Sequence, residues 1–353
     1  MAVTVVLSGS TADRCAVRVS PLAELCACLH ALNDHGHHPD SRSFARSARA
    51  ALSHDLDAEM REWAPMWGSR RARFLFPFEP GPGLGAERGL DAELAAVSRL
   101  ALDSFAAMAA AAIVDGKTPS AVRATFIEQA RRMSPERLAL AERLVDDPEE
   151  LRGRLVAFLS RFGGRVFEPE WRRVAPVLRE DADRRRRELD RDGLAAIARI
   201  TPTAKEAHDP HRVVFDKLYD ATARLRDDPC VLLPSAHGGP HVTIKHVRGR
   251  PIAIQYPVGS RRETSFEDVD RRIRALADPS RVRICREVLR GRRTTVDLAQ
   301  YTKMAEPQVS RHLRRLREAG LVRTSREGRM VYYELDAEAL KSIGQDLFDA
   351  LWR

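Results

Sequence analysis

The chain opens with two short β-like runs, Ala2 to Leu7 and Cys15 to Val19, which the spacing pairs as a small entry sheet around a turn at Ser8 to Asp13. From Ser20 the period becomes helical. Leu22, Leu25, Leu29 and Leu32 recur on one stripe behind a serine cap and a first-position proline, and His35 to Asp40 ends that helix. Ser43 to Met66 reads as one or two helices, followed by clustered aromatics (Trp63, Trp67, Phe74, Phe76, Phe78) of the kind that fill a core or line a pocket. Prolines and glycines make Pro77 to Gly83 a loop. Beyond it, Asp91 to Val114 reads as one alanine- and leucine-rich helix, followed by helices over Ser120 to Met133, Ser134 to Val145 and Pro148 to Phe162. Glu168 to Asp192 reads as one long helix strained at Pro176.

Arg212 to Gly259 breaks this pattern. Val213 to Phe215, Cys230 to Pro234, His241 to Ile244 and Ile252 to Tyr256 are strand-like runs between glycine and proline turns, read as a small antiparallel sheet. Gly259 to Glu263 is a polar joint. Further on, Thr294 caps a short helix over Thr295 to Tyr301, and Pro307 opens a second helix that Gly320 stops. Val309, Leu313 and Leu316 would pin this second helix to a core, while Arg311, Arg314 and Arg315 point away from the apolar stripe. Two period-two runs, Leu321 to Ser325 and Met330 to Leu335, then flank Gly328 as a hairpin. Two helices and a hairpin in this order predict a winged helix-turn-helix, whose second helix enters the DNA major groove.

The expected fold is thus mainly α with small β parts: a helical domain over residues 1–200, a small β-rich segment and joint over 201–262, and a winged helix-turn-helix over 263–353. Ala277-Asp278-Pro279-Ser280-Arg281-Val282-Arg283-Ile284, Asp297-Leu298-Ala299, Val309 to Val322, Gly328-Arg329 and Tyr332-Tyr333 resemble the ArsR-type family of bacterial repressors. That resemblance covers about the last quarter of the chain. Ser20 to Leu25 and Phe74 to Pro77 also resemble the uncharacterised N-terminal module of some large actinobacterial ArsR-type regulators. The resemblance implies a cytoplasmic homodimer on a palindromic double-stranded DNA operator, with first and last helices of the domain at the dimer contact. Gln308, Ser310, Arg311, His312, Arg314, Arg315, Arg326 and Arg329 are the candidate DNA-binding residues. Leu340, Ile343, Leu347, Phe348 and Leu351 form the stripe expected to dimerise.

Charge supports this picture only weakly. A net charge of +9 over 353 residues favours a polyanionic partner, although arginine-rich composition also accompanies GC-rich coding. From Lys303 to Arg329 the imbalance is sharper: Lys303, Arg311, Arg314, Arg315, Arg317, Arg323, Arg326 and Arg329 stand against Glu306, Glu318 and Glu327. Arg184 to Arg187 could also touch DNA, but four consecutive helical positions face every direction, and a solvated helix end is preferred. Five cysteines without framework spacing fit a reducing compartment. The longest apolar run, Phe105 to Val114, is too short for a bilayer, so no membrane association is expected.

Many ArsR-type members sense metals through cysteines on the first helix of the motif or through His and carboxylate ligands on the last. Thr295 to Tyr301 has no cysteine and Asp336 to Arg353 no histidine, and Cys285 reads as core. Cys26 and Cys28 lie about 200° apart on a helix and do not clasp one ion together. Cys26 with His30, at i and i+4, could, completed by a loop histidine at 35, 37 or 38; the preferred reading is a core cysteine beside solvated histidines. His237, His241 and His246 lack a companion carboxylate pair, nucleophile elbow or phosphate loop. No catalytic residue, cofactor or metal site is therefore assigned. The function expected is a sequence-specific transcriptional regulator, with a small-molecule effector or partner acting through the N-terminal module. The alternatives are an architectural DNA binder and an enzyme with a DNA-targeting tail.

Overall fold

The computed structural model describes residues 2–33, 38–79, 81, 83–116, 119–201, 204–207, 211–217, 220–259, 265–328 and 330–351. Residues 1–262 and 263–353 form two compact units, each treated by itself. His35 and His37, most of the polar joint, and Arg329 lie outside the described residues.

Two mixed sheets organise the first unit. The first has the order β3-β4-β1-β5, built from β1 (Ala2–Val6), β3 (Ala204–Glu206), β4 (Arg212–Asp216) and β5 (Ala221–Arg224). Strand β1 runs antiparallel to β4 and parallel to β5. The second has the order β2-β6-β8-β7, from β2 (Cys15–Val17), β6 (Cys230–Ser235), β7 (Thr243–Lys245) and β8 (Ile252–Pro257). Here β2, β6 and β8 are parallel and only β7 is antiparallel. This corrects two expectations. The opening strands do not pair with each other but enter different sheets, and neither sheet is simply antiparallel. Because those strands are completed by partners some two hundred residues away, residues 1–262 do not divide into a helical domain and a separate β-rich segment. Strands β6 and β8 are buried almost end to end, as expected of parallel strands covered on both faces.

Nine α-helices accompany these sheets among the described residues: α1 (Pro21–Asn33), α2 (Arg42–Ala51), α3 (His54–Glu62), α4 (Leu90–Arg99), α5 (Leu102–Ile113), α6 (Arg123–Arg131), α7 (Pro135–Asp146), α8 (Pro148–Phe162) and α9 (Glu168–Asp192). Helix α1 is buried from Pro21 to Leu32, not along one stripe only. Ser134 and Asp147 cap α7 and α8 through their side-chain oxygens, each followed by the expected proline. Helix α9 carries Pro176 in its interior. The single helix expected over Asp91 to Val114 is instead broken: α4 and α5 meet at 106° around Leu100 and Ala101. Periodicity reads straight through that corner because both halves are apolar. Among the described residues no single helix is long and apolar enough to cross a membrane.

The core is large. Trp63, Trp67, Phe74, Phe76, Phe105, Phe158 and Phe162 are all essentially inaccessible, with Trp67 stacked on Phe158 at 5.6 Å. Trp63, Trp67 and Phe74 are thus packing, whereas Phe76 and Phe78 also line a small cavity beside Arg18 and Glu93. Arg184, Arg185 and Arg186 are spent within the unit: Arg184 pairs with Asp181, Arg185 with Glu188 at 2.6 Å, and Arg186 with Asp183 and the Val17 carbonyl, while Arg187 is exposed.

The second unit holds α10 (Phe266–Leu276), α11 (Pro279–Leu289), α12 (Thr295–Thr302), α13 (Glu306–Glu318), the hairpin β9 (Val322–Glu327) and β10 (Met330–Leu335), and α14 (Ala337–Leu351). Its core gathers Ile284, Val288, Leu298, Val309, Leu313, Leu316 and Leu321. The Ala277 to Ile284 motif acts as a joint. Asp278 caps α11 by accepting from the Ser280 N–H at 2.8 Å, and Pro279 supplies the first helical position. The buried Arg281 guanidinium donates to the carbonyls of Arg274, at 2.9 Å, and Ala275, covering orphan acceptors at the end of α10.

Candidate nucleic-acid interface

Helix α12 is set by a full capping box. The Thr294 hydroxyl accepts from the Asp297 N–H at 3.2 Å, and the Asp297 carboxylate accepts from the Thr294 N–H at 2.9 Å. These bonds from Thr294 hold the Asp297 carboxyl below the usual range. Since the folded pKa is the lower one, the unfolded chain takes up this proton first. The stabilisation is present above the ordinary carboxylate pKa and fades as pH falls through it. Thr294→Ala should cost the second unit about 0.5–2 kcal/mol and flatten the acid limb of its stability, read from urea melts of the full chain at pH 7 and pH 3. An unchanged midpoint and an unchanged acid limb would remove the cap from the account.

Helix α12 ends at Lys303, whose positive φ of 56° makes the tight turn into α13. At the other end of α13, Gly320 takes φ 69°, a conformation open to glycine without a Cβ penalty, and β9 follows. Between these two turns the amphipathic period decides orientation. Val309, Leu313 and Leu316 are at most 1% exposed, and the helix is rotationally fixed by them. Gln308, Ser310, Arg311, Arg314, Arg315 and Arg317 consequently face solvent. Among the described residues Arg311, Arg315 and Arg317 form no ion pair, and Arg314 approaches Glu318 only at 3.8 Å. Ser310, Arg311, Leu313, Arg314 and Arg317, with Tyr333 from β10, line a concavity of about 200 Å³. Arg317 and Tyr333 were not among the candidate DNA-binding residues, although Arg317 belongs to the basic surplus and Tyr333 to the motif of the resemblance. Arg317 falls one turn beyond Arg314 and so continues its row, a signal that was present in the spacing.

His312 sits differently from its neighbours. It is half-buried, with Nδ1 4.0 Å from the Asp278 carboxylate, and so faces α11 rather than the open arginine face. The hairpin is anchored beside α12 by reciprocal backbone bonds between Arg293 and Tyr333, at 3.1 and 2.8 Å. Arg292 reinforces it by pairing with Glu327 at 2.6 Å and lying over the Tyr332 ring. Arg326 is exposed at the tip, where its Nε donates to the Gly328 carbonyl at 3.3 Å. Arg323 is tied back to Asp336.

The expected dimer stripe on α14 is divided. Leu340 and Ile343 pack against the unit's own core, whereas Phe348 is 44% and Leu351 63% exposed; Leu347 is intermediate. Helix α14 lies on α10, held by Arg272 and Asp346 at 2.7 Å, with the Ser342 hydroxyl donating to the same carboxylate at 2.8 Å. Helix α10 adds Phe266 and Ile273, 48% and 38% exposed, which sequence reading had not marked.

The remaining candidates fall in the first unit, apart from Cys285 in the second. Cys26 is buried and its thiol pushed up to about 11 by desolvation. The His30 Nδ1 is bonded to the Trp67 carbonyl at 2.7 Å. Cys285 is core, raised likewise to about 11. His246 pairs with Asp228 at 2.9 Å, and His237 with Glu170 at 2.7 Å.

Comparison with known proteins follows the division into units. Residues 1–262 match a family of unknown function, DUF5937, and residues 278–324 match the bacterial regulatory protein arsR family. A probable mercury resistance operon repressor of Streptomyces lividans is 37% identical over 62 residues, 18% of this chain and 50% of that protein. A transcriptional repressor SmtB homolog of Synechocystis sp. is 40% identical over 77 residues, 22% and 58% respectively. A cadmium resistance transcriptional regulatory protein CadC homolog of Staphylococcus aureus is 34% identical over 82 residues, 23% and 68%. The chain thus spans about half to two thirds of the length of these relatives. Together the two matches place nearly the whole sequence: the chain belongs to the DUF5937 family through residues 1–262 and carries an arsR-family helix-turn-helix domain at its C-terminal end.

Proposed function

We propose that the chain is a sequence-specific DNA-binding transcriptional regulator, a homodimeric repressor whose N-terminal unit responds to a ligand or partner. The observation that carries the reading is the orientation of α13: its apolar stripe is locked into the core, so its arginine face is presented outward as one rigid row. In this reading α13 enters the major groove. Gln308, Ser310 and Arg311, on its first turns, address base edges. Arg314, Arg315, Arg317 and the wing residues Arg326 and Arg329 address phosphates. His312 acts from behind, orienting α13 against α11. The relatives are named as regulators and repressors, which supports a non-catalytic role.

The two classes of arginine differ in what their loss does. Arg311→Ala should weaken operator binding by about 1–3 kcal/mol and relax preference at one base position. Arg315→Ala should weaken all sequences alike and reduce the salt slope by about one. Fluorescence anisotropy on an operator selected from a random DNA pool, at several salt concentrations, reads both. If Arg311→Ala left affinity and base preference untouched, α13 would not be the reading helix.

A further inference from the structure

Outside the DNA-facing residues, one cluster of chemically able side chains is not needed for the function above. It lies where β6 ends and α1 begins, at the carboxyl edge of the parallel strands, the place where open α/β sheets bind ligands. Glu24 and Cys28 stand one turn apart on α1, at i and i+4, and therefore share a face. The loop after β6 brings His237 to them. One ligand atom from each of Glu24, Cys28 and His237 lies within 4.8 Å of the other two, and all three residues are buried.

The hydrogen bonding of the cluster is unbalanced. Glu24 Oε1 accepts from the N–H groups of Ala236 and His237, both at 3.0 Å. Glu24 Oε2 and the Ser235 hydroxyl are both buried and form no hydrogen bond of normal geometry among the described residues, although the hydroxyl lies close enough to the carboxylate to lower its pKa. A buried carboxylate oxygen without a well-placed partner is costly unless something cationic or protic meets it. Both His237 ring nitrogens are engaged, Nε2 with the Glu170 carboxylate at 2.7 Å and Nδ1 with the Ser41 hydroxyl at 2.9 Å, so an ion would take the place of one of these partners while the other keeps the ring oriented.

The geometry points to Glu24, Cys28 and His237 as a binding site for a borderline divalent transition-metal ion of the Zn2+ class. Thiolate, imidazole and carboxylate are the donors such an ion takes, and three protein ligands with a fourth position left over suit it. Ligands about 2.0–2.3 Å from one ion lie roughly 3.3–3.8 Å apart, so the arms need close by only about 1 Å. Burial raises the Cys28 thiol well above its ordinary range, so an ion that takes it as thiolate displaces its proton. Cys26, two residues from Cys28, points the other way and takes no part. The site lies wholly in the DUF5937 unit and does not depend on the DNA-binding reading.

The test uses the full chain, reduced, stripped with chelator and titrated with Co2+, whose thiolate charge-transfer absorption reports a cysteine ligand, and then with Zn2+ as competitor. One Co2+ per chain is expected, with a thiolate band that Zn2+ abolishes. Cys28→Ser should remove the band, and Glu24→Gln should weaken binding at least tenfold, with circular dichroism confirming that both variants remain folded. Cys26→Ser should keep the band. Absence of a stoichiometric thiolate band in the unaltered protein would overturn the assignment. So would a band that survives Cys28→Ser or disappears instead with Cys15→Ser or Cys230→Ser.

Discussion

Glu93→Ala is expected to destabilise the N-terminal unit by about 3–5 kcal/mol, the range for breaking a buried, hydrogen-bonded ion pair from one side. Glu93 is 5% exposed. Its carboxylate pairs with Arg18, accepts the Ser20 hydroxyl at 2.9 Å and caps α1 through the Leu22 N–H at 2.8 Å. Burial pushes the carboxyl up, while Arg18, the Leu22 N–H and Ser20 pull it down. Truncation leaves the Arg18 charge, 4% exposed, and two donors without their acceptor. Replacing both charges, Arg18→Met with Glu93→Leu, should cost markedly less than Glu93→Ala, because no orphan charge remains. Urea unfolding followed by fluorescence of the buried Trp63 and Trp67 reads the unit directly. A Glu93→Ala midpoint within about 1 kcal/mol of the parent would show that the contact contributes little.

The second large effect concerns assembly. Leu351→Asp should convert a dimer to a monomer in light scattering and lower operator affinity by about 10²–10⁴-fold, the avidity that linking two half-site readers supplies. Leu351 is the better probe than Leu340 or Ile343, since those two support the unit's own core and their loss would confuse folding with assembly. Phe348 and Leu351 on α14, with Phe266 and Ile273 on α10, offer an apolar surface that a two-fold partner would cover. A two-fold dimer sets its reading helices about one DNA turn apart and so requires a palindromic site. A parent protein that is monomeric and still binds a single half-site with full affinity would contradict the dimer.

What could be read from sequence was what local spacing carries. The stripe of Val309, Leu313 and Leu316, the Thr294 cap, the Gly320 stop and the hairpin around Gly328 all lie within a few residues of their partners, and each appears in the structure where periodicity set it. The Asp278 carboxylate beside His312 was not legible, because only the packing of α11 brings it there. The N-terminal unit was legible as helices but not as an architecture. Val3 and Val5 pack in the same core as Val213 and Phe215, and Cys15 pairs with Cys230 in the sheet, contacts that no window of sequence contains. The Glu24, Cys28 and His237 cluster was missed for the same reason. Helical spacing draws attention to Cys26 with His30, an equally good i, i+4 pair, whereas the fold directs His30 to Trp67 and brings His237 across from the far sheet.

The most direct measurement of the central claim is the ratio of affinities of the full chain for its selected operator and for random DNA of equal length, at one fixed salt concentration. Sequence-specific regulation predicts a ratio of about 10³ or more. Architectural binding through the same arginine row would hold both DNAs by phosphate contacts alone, and a ratio near unity would contradict the account.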